Sequence, residues 1–366
     1  MVERADSGVT SMLKAAVSWR VRRRAGRQLP GGAGGGGAAR AARGRSVRVR
    51  AAPGRSVRAR GRVCAACAVL TAGLLAFHRA VPNSVGRLGS LLEVFLPWLG
   101  LVVVALFGVA LLRRSATALV ALLLPAAAWT YHFGGLFLPG GKPGGHDLVV
   151  VQHNVGDENP DPAGTARALA DAGPDLIALQ ELVTPALPVY ERTLAAAYPY
   201  HEVRGTVGLW SKHPLTGVRP LDVKPQGVPR PWNRGMRAVV RTPRGEIAAY
   251  VAHLPSVRVR ASGLASSPRD ESAGLLGRAV AAEEVGAVVL LGDLNGTVDD
   301  RGLAPLTSRM NVAERGFAFS FPAAFPVARI DQVMARSATV DHIRALPATG
   351  SDHLPVAARI TLRPPA

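Results

Sequence analysis

The 366-residue chain has only two cysteines, Cys64 and Cys67, and almost no acidic residues in its first 145 positions. Two thiols exclude a fold held by several disulfides and a zinc site with four thiolate ligands. Residues 1–145 contain three acidic side chains and 21 lysines and arginines. Residues 146–366 contain 22 acidic side chains and 23 lysines and arginines. The net charge of +19 therefore comes from the first part of the chain. Because the second part is nearly neutral, the high isoelectric point does not indicate a nucleic-acid-binding domain.

The N-terminal residues 1–62 lack the apolar side chains that a folded core requires. They contain 16 lysines and arginines, two acidic residues and a glycine-rich run at residues 31–37. A segment of this composition buries too little apolar surface to offset chain entropy, so we predict a disordered, basic cytoplasmic tail. Two alternatives stay open: an arm that binds anionic lipid or RNA, and a start site placed too far upstream.

Three apolar stretches follow the tail, at residues 63–77, 88–112 and 116–138. About 20 apolar residues span a bilayer, so the second and third stretches are long enough and the first is marginal. A buried hairpin or a signal sequence is the alternative for the first stretch. The positive-inside rule places both the basic tail and Arg113-Arg114, which separate the second and third stretches, in the cytoplasm. An even number of spans must lie between them, which predicts three transmembrane helices over residues 63–138.

Residues 139–145 are rich in glycine and proline, which predicts a flexible linker. The remaining residues, 146–366, then form the extracellular domain of a multi-pass cell-membrane protein. In this domain, strand-like apolar runs alternate with helix-like runs, a pattern that predicts an α/β fold.

Polar residues follow the predicted strands of this domain at their ends, where α/β proteins often place functional sites. Each position alone has an ordinary structural explanation, such as a turn, a backbone cap or a solvated side chain. Six such positions in one chain, each beside an apolar run, indicate an active site. They are Asn154, Gln180-Glu181, His253, Gly292-Asp293-Leu294-Asn295, Asp331 and Ser351-Asp352-His353.

In this order, the motifs resemble those of the endonuclease/exonuclease/phosphatase superfamily over essentially all of residues 146–366. The resemblance implies an α/β fold, a four-layer sandwich of two mixed β-sheets flanked by helices, as in DNase I-like nucleases. It also implies hydrolysis of phosphoesters with Mg²⁺ or Mn²⁺ as the cofactor. By this resemblance Glu181 binds the metal, Asn154 lies beside it and Asp352 supplies a second carboxylate. Carboxylate and amide oxygens are hard ligands of the kind that Mg²⁺ prefers.

The same resemblance implies the catalytic residues. Asp293 would orient or deprotonate the attacking water, and Asn295 would hold the phosphoryl oxygens. Asp331 would fix the orientation of His353, as a carboxylate does behind a catalytic imidazole. His353 and His253 would donate hydrogen bonds to the transferring phosphoryl group.

Together with the apolar stretches, the domain also resembles a narrower group, the membrane proteins of VanJ-type teicoplanin resistance. This resemblance implies a phosphatase that acts on undecaprenyl pyrophosphate at the outer membrane face, with a lipid pyrophosphate and not a nucleic acid as its partner. Two alternatives stay open. One is an extracytoplasmic nuclease or phospholipid phosphodiesterase, and the other is an inactive membrane-anchored binding module. A nuclease could contact nucleic acid through Arg230, Arg234, Arg237, Arg258 and Arg260.

Overall fold

The computed structural model describes residues 55–139, 145–228 and 231–363. Most of the predicted disordered tail, residues 1–54, and most of the predicted linker, residues 140–144, lie outside the described residues. Helix α1 (Arg55–Ala76) begins eight residues before the apolar run and includes residues 55–62 of the predicted tail. Alanine and arginine have high helix propensities, so the helix extends into the basic segment.

Among the described residues, five α-helices precede the sheet domain. They are α1, α2 (Leu88–Val94), α3 (Leu99–Leu112), α4 (Ala116–Ala121) and α5 (Leu123–Phe133). α1 packs against α3, α4 and α5. Small side chains such as Ala68 and Ala110 line this contact together with Cys64 and allow the helices to approach closely. Cys64 is therefore a packing residue, and neither it nor Cys67 is in a disulfide.

The outer surface of these helices is apolar. Of the 23 large hydrophobic side chains that are exposed in the described part of the chain, 20 lie between Val63 and Leu138. α3 contains no polar side chain, so it is apolar around its whole circumference. A contiguous apolar surface of this extent is typical of a region that faces a membrane or a partner.

One helical segment among the described residues is long and apolar enough to cross a membrane by length and composition, namely Ala116–Phe137. Leu88–Val94 and Leu96–Leu112 together pass the same test, but the chain bends by 65° between them. The first stretch contains the shorter apolar helix Gly61–Ala76. The three predicted stretches are thus all helical, whereas three transmembrane helices stay a prediction.

The bend separates α2 from the apolar α3, and α2 packs on the sheet domain. The carboxylate of Glu93 is fully buried and accepts hydrogen bonds from the backbone nitrogen and guanidinium of Arg301 at 2.8–2.9 Å. Arg87, just before α2, forms an ion pair with Asp270. A buried carboxylate requires such a partner, so these contacts hold α2 on the domain. The second predicted span is therefore not one continuous helix from residue 88.

The sheet domain contains two mixed β-sheets. The six strands of the first sheet, in order across it, are β12 (Ala338–Ala345), β13 (Val356–Leu362), β1 (Leu148–Asn154), β2 (Leu176–Gln180), β4 (Val207–Ser211) and β3 (Tyr200–Arg204). β1 and β2 are parallel, and the other neighbours are antiparallel.

The second sheet has five strands. In order across it, they are β11 (Asp331–Arg336), β10 (Ala287–Asp293), β7 (Gly245–His253), β6 (Gly235–Thr242) and β5 (Leu215–Pro220). β7 and β10 are parallel, and the other neighbours are antiparallel. A separate two-stranded ribbon pairs β8 (Arg258–Arg260) with β9 (Gly263–Ala265).

The two sheets pack face to face, and helices cover their outer faces. The outer helices are α6 (Pro162–Asp171) and α7 (Leu187–Leu194) on the first sheet, and α8 (Ser267–Ala281) and α9 (Ala304–Thr307) on the second. Successive strand residues point to opposite faces, so Val150 enters the core between the sheets and Val151 packs against α6 and α7. The predicted arrangement of two mixed sheets flanked by helices is confirmed.

A buried ion pair joins the segment that follows α8 to the second sheet. Arg237 of β6 donates two hydrogen bonds to Glu283, at 2.8 and 2.9 Å, and the hydroxyl of Tyr250 donates a third at 2.8 Å. The hydrogen bonds from Arg237 lower the pKa of Glu283 to about 2. Arg237 is thus a structural residue, and it is not free to contact a nucleic-acid backbone.

We expect Glu283→Gln to lower the free energy of unfolding by about 2–4 kcal/mol at pH 7, because it leaves Arg237 buried without a charged partner. The folded-state pKa of Glu283 is below its ordinary value of 4.5. The difference from wild type should therefore be complete above pH 4.5 and diminish as the pH falls toward 2. Chemical unfolding of the detergent-solubilised protein measures it.

The exposed pair Arg241–Glu246 on the β6–β7 hairpin supplies a matched control. Glu246→Gln should change the stability by less than about 0.5 kcal/mol, since both side chains are more than half exposed. Equal losses of stability in the two variants would show that the buried Arg237–Glu283 pair stabilises the fold no more than the exposed pair does.

Candidate active site

Two pairs of parallel strands, one pair in each sheet, end at the same edge of the domain. In the first sheet Asn154 at the end of β1 is paired with Gln180 at the end of β2. In the second sheet His253 at the end of β7 is paired with Asp293 at the end of β10. Carboxyl ends of parallel strands are where open α/β sheets place their sites. The sequence motifs therefore meet because the two sheets pack face to face.

Hydrogen bonds between side chains connect the two sheets at this edge. The amide of Asn154 donates to Oδ2 of Asp293 at 3.1 Å. Two residues earlier on β1, the amide of Gln152 donates to Oδ1 of Asp331 at 2.6 Å. All four side chains are at most 1% exposed. In this dry environment each bond fixes its carboxylate firmly, because water does not compete for the acceptor.

Asp331 accepts hydrogen bonds from three other side chains and holds His353 in place. Besides Gln152, the Ser320 hydroxyl donates to Oδ2 at 2.6 Å and Nδ1 of His353 donates to the same oxygen at 2.8 Å. Burial by itself lowers the pKa of His353, but the carboxylate of Asp331 outweighs it and raises the pKa to about 10. His353 is therefore an imidazolium whose other nitrogen, Nε2, is 3.8 Å from Oδ2 of Asp293.

Asp293 lies between the two histidines. Burial raises the pKa of Asp293 to about 7, and the charge of Asp331 acts in the same direction. The backbone nitrogen of Asn295 donates to Oδ1 at 2.9 Å, which with the bond from Asn154 fixes the plane of the carboxylate. A carboxyl group with a pKa near neutrality is suited to accept a proton from water.

His253 is the second imidazole of the site and differs from His353 in charge. Burial lowers the pKa of His253 to about 3, and the charge of Arg234 acts in the same direction. Its Nε2 is 3.6 Å from Oδ2 of Asp293 and 3.8 Å from Oε1 of Glu181. This neutral ring therefore lies between the two carboxylates of the site.

Two site residues have a left-handed backbone, which side chains other than glycine rarely adopt. Glu181 has φ 59° and Asn295 has φ 48°. Such strain is common at functional sites, where the surrounding structure imposes it. At Asn295 the amide donates to the carbonyl of Leu254 at 3.0 Å, and this bond fixes the side chain next to β7. Glu181 keeps 31% of its side chain exposed, so its carboxylate remains accessible from solvent.

The residues offer two possible sets of metal ligands. Asp293, Asp331 and His353 present ligand atoms that all lie within 4.8 Å of one another. In that set, however, Asp331 already accepts three hydrogen bonds, one of them from Nδ1 of His353. Glu181 and Asn154 instead offer carboxylate and amide oxygens, which suit Mg²⁺, and Glu181 is partly exposed.

Asp352 differs from the other predicted ligands. Its side chain is 70% exposed, and its Oδ1 is 4.0 Å from Nε2 of His353. It therefore lies at the rim of the site, while Asn154, Asp293, Asp331, His253 and His353 are buried within it. A metal-binding role for Asp352 stays a prediction.

Sequence reasoning missed two residues that build the site, Gln152 and Ser320. A signal existed for Gln152. It alternates with Val150 and Asn154, so a polar side chain interrupts the face of β1 that enters the core between the sheets. Ser320 lies in a loop without periodicity, and its contact with Asp331 depends on the tertiary fold alone.

A sequence model of the Endonuclease/Exonuclease/phosphatase family matches residues 151–353, which is more than half of the chain. No curated protein sequence matches.

Several solved structures are similar to part of this chain. A variant of beta toxin from Staphylococcus aureus, solved with bound magnesium ions, is 13% identical, and the match covers 58% of this chain and 99% of the toxin with a TM-score of 0.47. TDP2 from D. rerio, solved with a single-strand DNA product, is 18% identical over 58% of this chain and 98% of its own, with a TM-score of 0.49. An endonuclease/exonuclease/phosphatase from Bacteroides vulgatus is 17% identical over 59% of this chain and 98% of its own, with a TM-score of 0.47.

Proposed function

The chain belongs to the endonuclease/exonuclease/phosphatase family, whose members hydrolyse phosphoester bonds, and we propose that it is a membrane-anchored, metal-dependent phosphatase. The observation that carries the proposed chemistry is the buried row Asp331–His353–Asp293. It places an imidazole, oriented by a carboxylate, 3.8 Å from a carboxyl group whose pKa is near neutrality. A proton acceptor and a hydrogen-bond donor this close together suit the attack of water on a phosphoryl group.

The cofactor that fits the donor set is Mg²⁺ or Mn²⁺, held by Glu181 with Asn154 beside it. When bound, the metal supplies the positive charge that polarises the phosphoryl group and keeps neighbouring carboxylates ionised. The hydrogen bonds to Asp293 from Asn154 and from the backbone of Asn295 orient its carboxylate toward the attacking water. Asp293 then accepts the proton of that water.

Negative charge develops on the phosphoryl oxygens in the transition state, and the two histidines donate to it. His353 does so through Nε2–H, because its Nδ1–H is bound to Asp331. Asp331 keeps the ring protonated and in the correct orientation. His253 adds a neutral donor, and Asn295, fixed by Leu254, has a second amide hydrogen for a phosphoryl oxygen.

We propose that residues 63–138 anchor the enzyme in the cell membrane as three transmembrane helices. The exposed apolar surface of α1 and α3–α5 supports this placement, as does the position of Arg113 and Arg114 at the turn between α3 and α4. The N-terminus is then cytoplasmic and the sheet domain extracellular. The ion pair between Glu93 and Arg301 would hold the domain directly above the helices.

The substrate we propose is undecaprenyl pyrophosphate, a lipid pyrophosphate at the outer membrane face. The choice is based on the sequence resemblance to VanJ-type membrane proteins and on the proposed anchoring of the site. Confinement near the bilayer raises the effective concentration of a lipid substrate. Teicoplanin resistance is the biological outcome that the same resemblance suggests.

The main alternative is a nuclease or a phospholipid phosphodiesterase. The structure weakens the arginine cluster that favoured a nuclease, because Arg237 is buried and Arg234 stacks on Trp232 with 4.5 Å between guanidinium carbon and ring centroid. Arg258 and Arg260 are exposed on β8, and Arg230 lies outside the described residues. The other alternative, an inactive binding module, leaves the buried imidazolium and its partners without a role.

We expect Asp293→Ala to lower phosphate release from undecaprenyl pyrophosphate by about a thousandfold, because the proton acceptor is lost. Asp171→Ala is the matched carboxylate change at the exposed C-terminal end of α6, outside the site. It should lower the rate by less than about twofold, since an exposed charge outside the site is screened by solvent. Release of phosphate by the detergent-solubilised protein, with Mg²⁺ and with a chelator, measures both effects.

Plasmid DNA and phosphatidylcholine serve as competing substrates in the same assay. Faster Mg²⁺-dependent cleavage of either one than of undecaprenyl pyrophosphate would overturn the proposed substrate while retaining the enzyme class. Equal rates in wild type and Asp293→Ala on every phosphoester would overturn the enzyme class itself.

The topology predicts which side of the membrane a new thiol faces. In a Cys64→Ala, Cys67→Ala background, Ala196→Cys places a thiol on the exposed end of α7, and Arg113→Cys places one at the α3–α4 turn. A membrane-impermeant maleimide should label Ala196→Cys in intact cells and Arg113→Cys only after permeabilisation. The reverse pattern would show that the catalytic domain faces the cytoplasm.

A further inference from the structure

We propose that an apolar cavity beside the catalytic centre binds the hydrocarbon chain of a lipid phosphoester. This proposal rests on the proposed hydrolase function and concerns how the site would select lipid phosphoesters. The cavity has a volume of about 410 Å³ and lies between α3, α5 and residues 317–319 of the sheet domain. This volume is within the range of small-molecule binding pockets.

The lining of the cavity is apolar because its two tryptophans have their polar atoms bound elsewhere. Nε1 of Trp98 donates to the carbonyl of Val327 at 2.7 Å, and Nε1 of Trp129 donates to the carbonyl of Pro97 at 2.8 Å. Both indole rings therefore present only carbon surface to the cavity. A hydrocarbon chain is favoured in such a site, whereas a phosphate or a sugar would lose its hydrogen bonds to water.

The cavity opens on the side of the helices that we place in the membrane. Leu101 and Val104 of α3 line it, yet 60% and 67% of these residues are exposed at the outer helix surface. Phe137, after α5, lines it as well and is 65% exposed. A chain can thus enter sideways from the bilayer without crossing water.

One loop connects the cavity to the catalytic centre. Phe319 lines the cavity and stacks on Trp98 with 5.5 Å between ring centroids. The next residue, Ser320, donates to Asp331, and the ring of Phe321 lies 4.9 Å from that of His353. Two residues of extended chain span about 7 Å. A phosphate near His353 and a chain attached to it would therefore follow the loop into the cavity.

Two adjacent alanines of α5 allow a matched test. Ala126 lines the cavity, whereas Ala127 does not, and both are exposed. Ala126→Trp fills the cavity, and Ala127→Trp adds the same ring on a neighbouring face of the helix. The substrates are farnesyl pyrophosphate, isopentenyl pyrophosphate as the short-chain match, and dioctanoyl phosphatidic acid. The assay is phosphate release by the full-length protein in detergent.

We expect the wild-type KM for farnesyl pyrophosphate to be lower by about tenfold or more than for isopentenyl pyrophosphate, because burial of a few additional methylenes supplies that factor. Ala126→Trp should abolish this difference by raising the KM for the longer chain, while Ala127→Trp should preserve it. If Ala126→Trp raises the KM for dioctanoyl phosphatidic acid and Ala127→Trp does not, the site also takes acyl chains. If neither variant changes that KM, the site is specific for isoprenoid chains.

Equal effects of the two tryptophan variants, or a wild-type KM independent of chain length, would overturn the cavity proposal while leaving the phosphatase proposal intact. If wild type hydrolyses none of the three substrates, the proposed function fails and binding becomes the test. A brominated alkyl phosphate should then quench the fluorescence of Trp98 and Trp129 in wild type and less in Ala126→Phe, which narrows the cavity without adding an indole. No quenching in wild type would overturn the cavity proposal as well.

Discussion

The buried carboxylate of Asp331 is the constraint on which the rest of the active site depends. Its side chain is fully buried, and a buried charge destabilises the fold unless it is well paired. Its three partners are Gln152, Ser320 and His353, which come from β1, from a loop and from the segment before β13. Satisfying this one charge therefore fixes the distance between the sheets, the position of the loop and the charge of the catalytic imidazole together.

Much of this arrangement follows from the sequence, because apolar runs mark the strands and polar residues mark their ends. The buried strands β1, β2, β7 and β10 have both faces covered, so their near-continuous apolar sequences are easy to detect. β5 and β12 are edge strands with irregular pairing and partly exposed side chains, so their patterns are too weak to predict. Ser320 and the rim position of Asp352 depend on loop conformation, which hydrophobic periodicity does not encode.

The helices that precede the sheet domain are part of the same structural unit and not a loosely attached anchor. Glu93 of α2 is buried against Arg301, and Trp98 reaches across to the carbonyl of Val327. Glu93 lies in one of the three apolar stretches, where the sequence offers no partner for a charged side chain. Its partner, Arg301, lies 208 residues later in the chain. These contacts hold the sheet domain, with its candidate active site, on the apolar helices, as the proposed action on a lipid phosphate requires.

The proposed metal site is formed by Glu181 and Asn154, with His353 as a hydrogen-bond donor and not a ligand. Binding of Mn²⁺ to the detergent-solubilised protein, followed by electron paramagnetic resonance, tests it. We predict that Glu181→Gln weakens Mn²⁺ binding by about a hundredfold, while His353→Gln changes it by less than about threefold. Binding that survives Glu181→Gln and disappears in His353→Gln would contradict the account and assign the metal to the Asp293, Asp331 and His353 group.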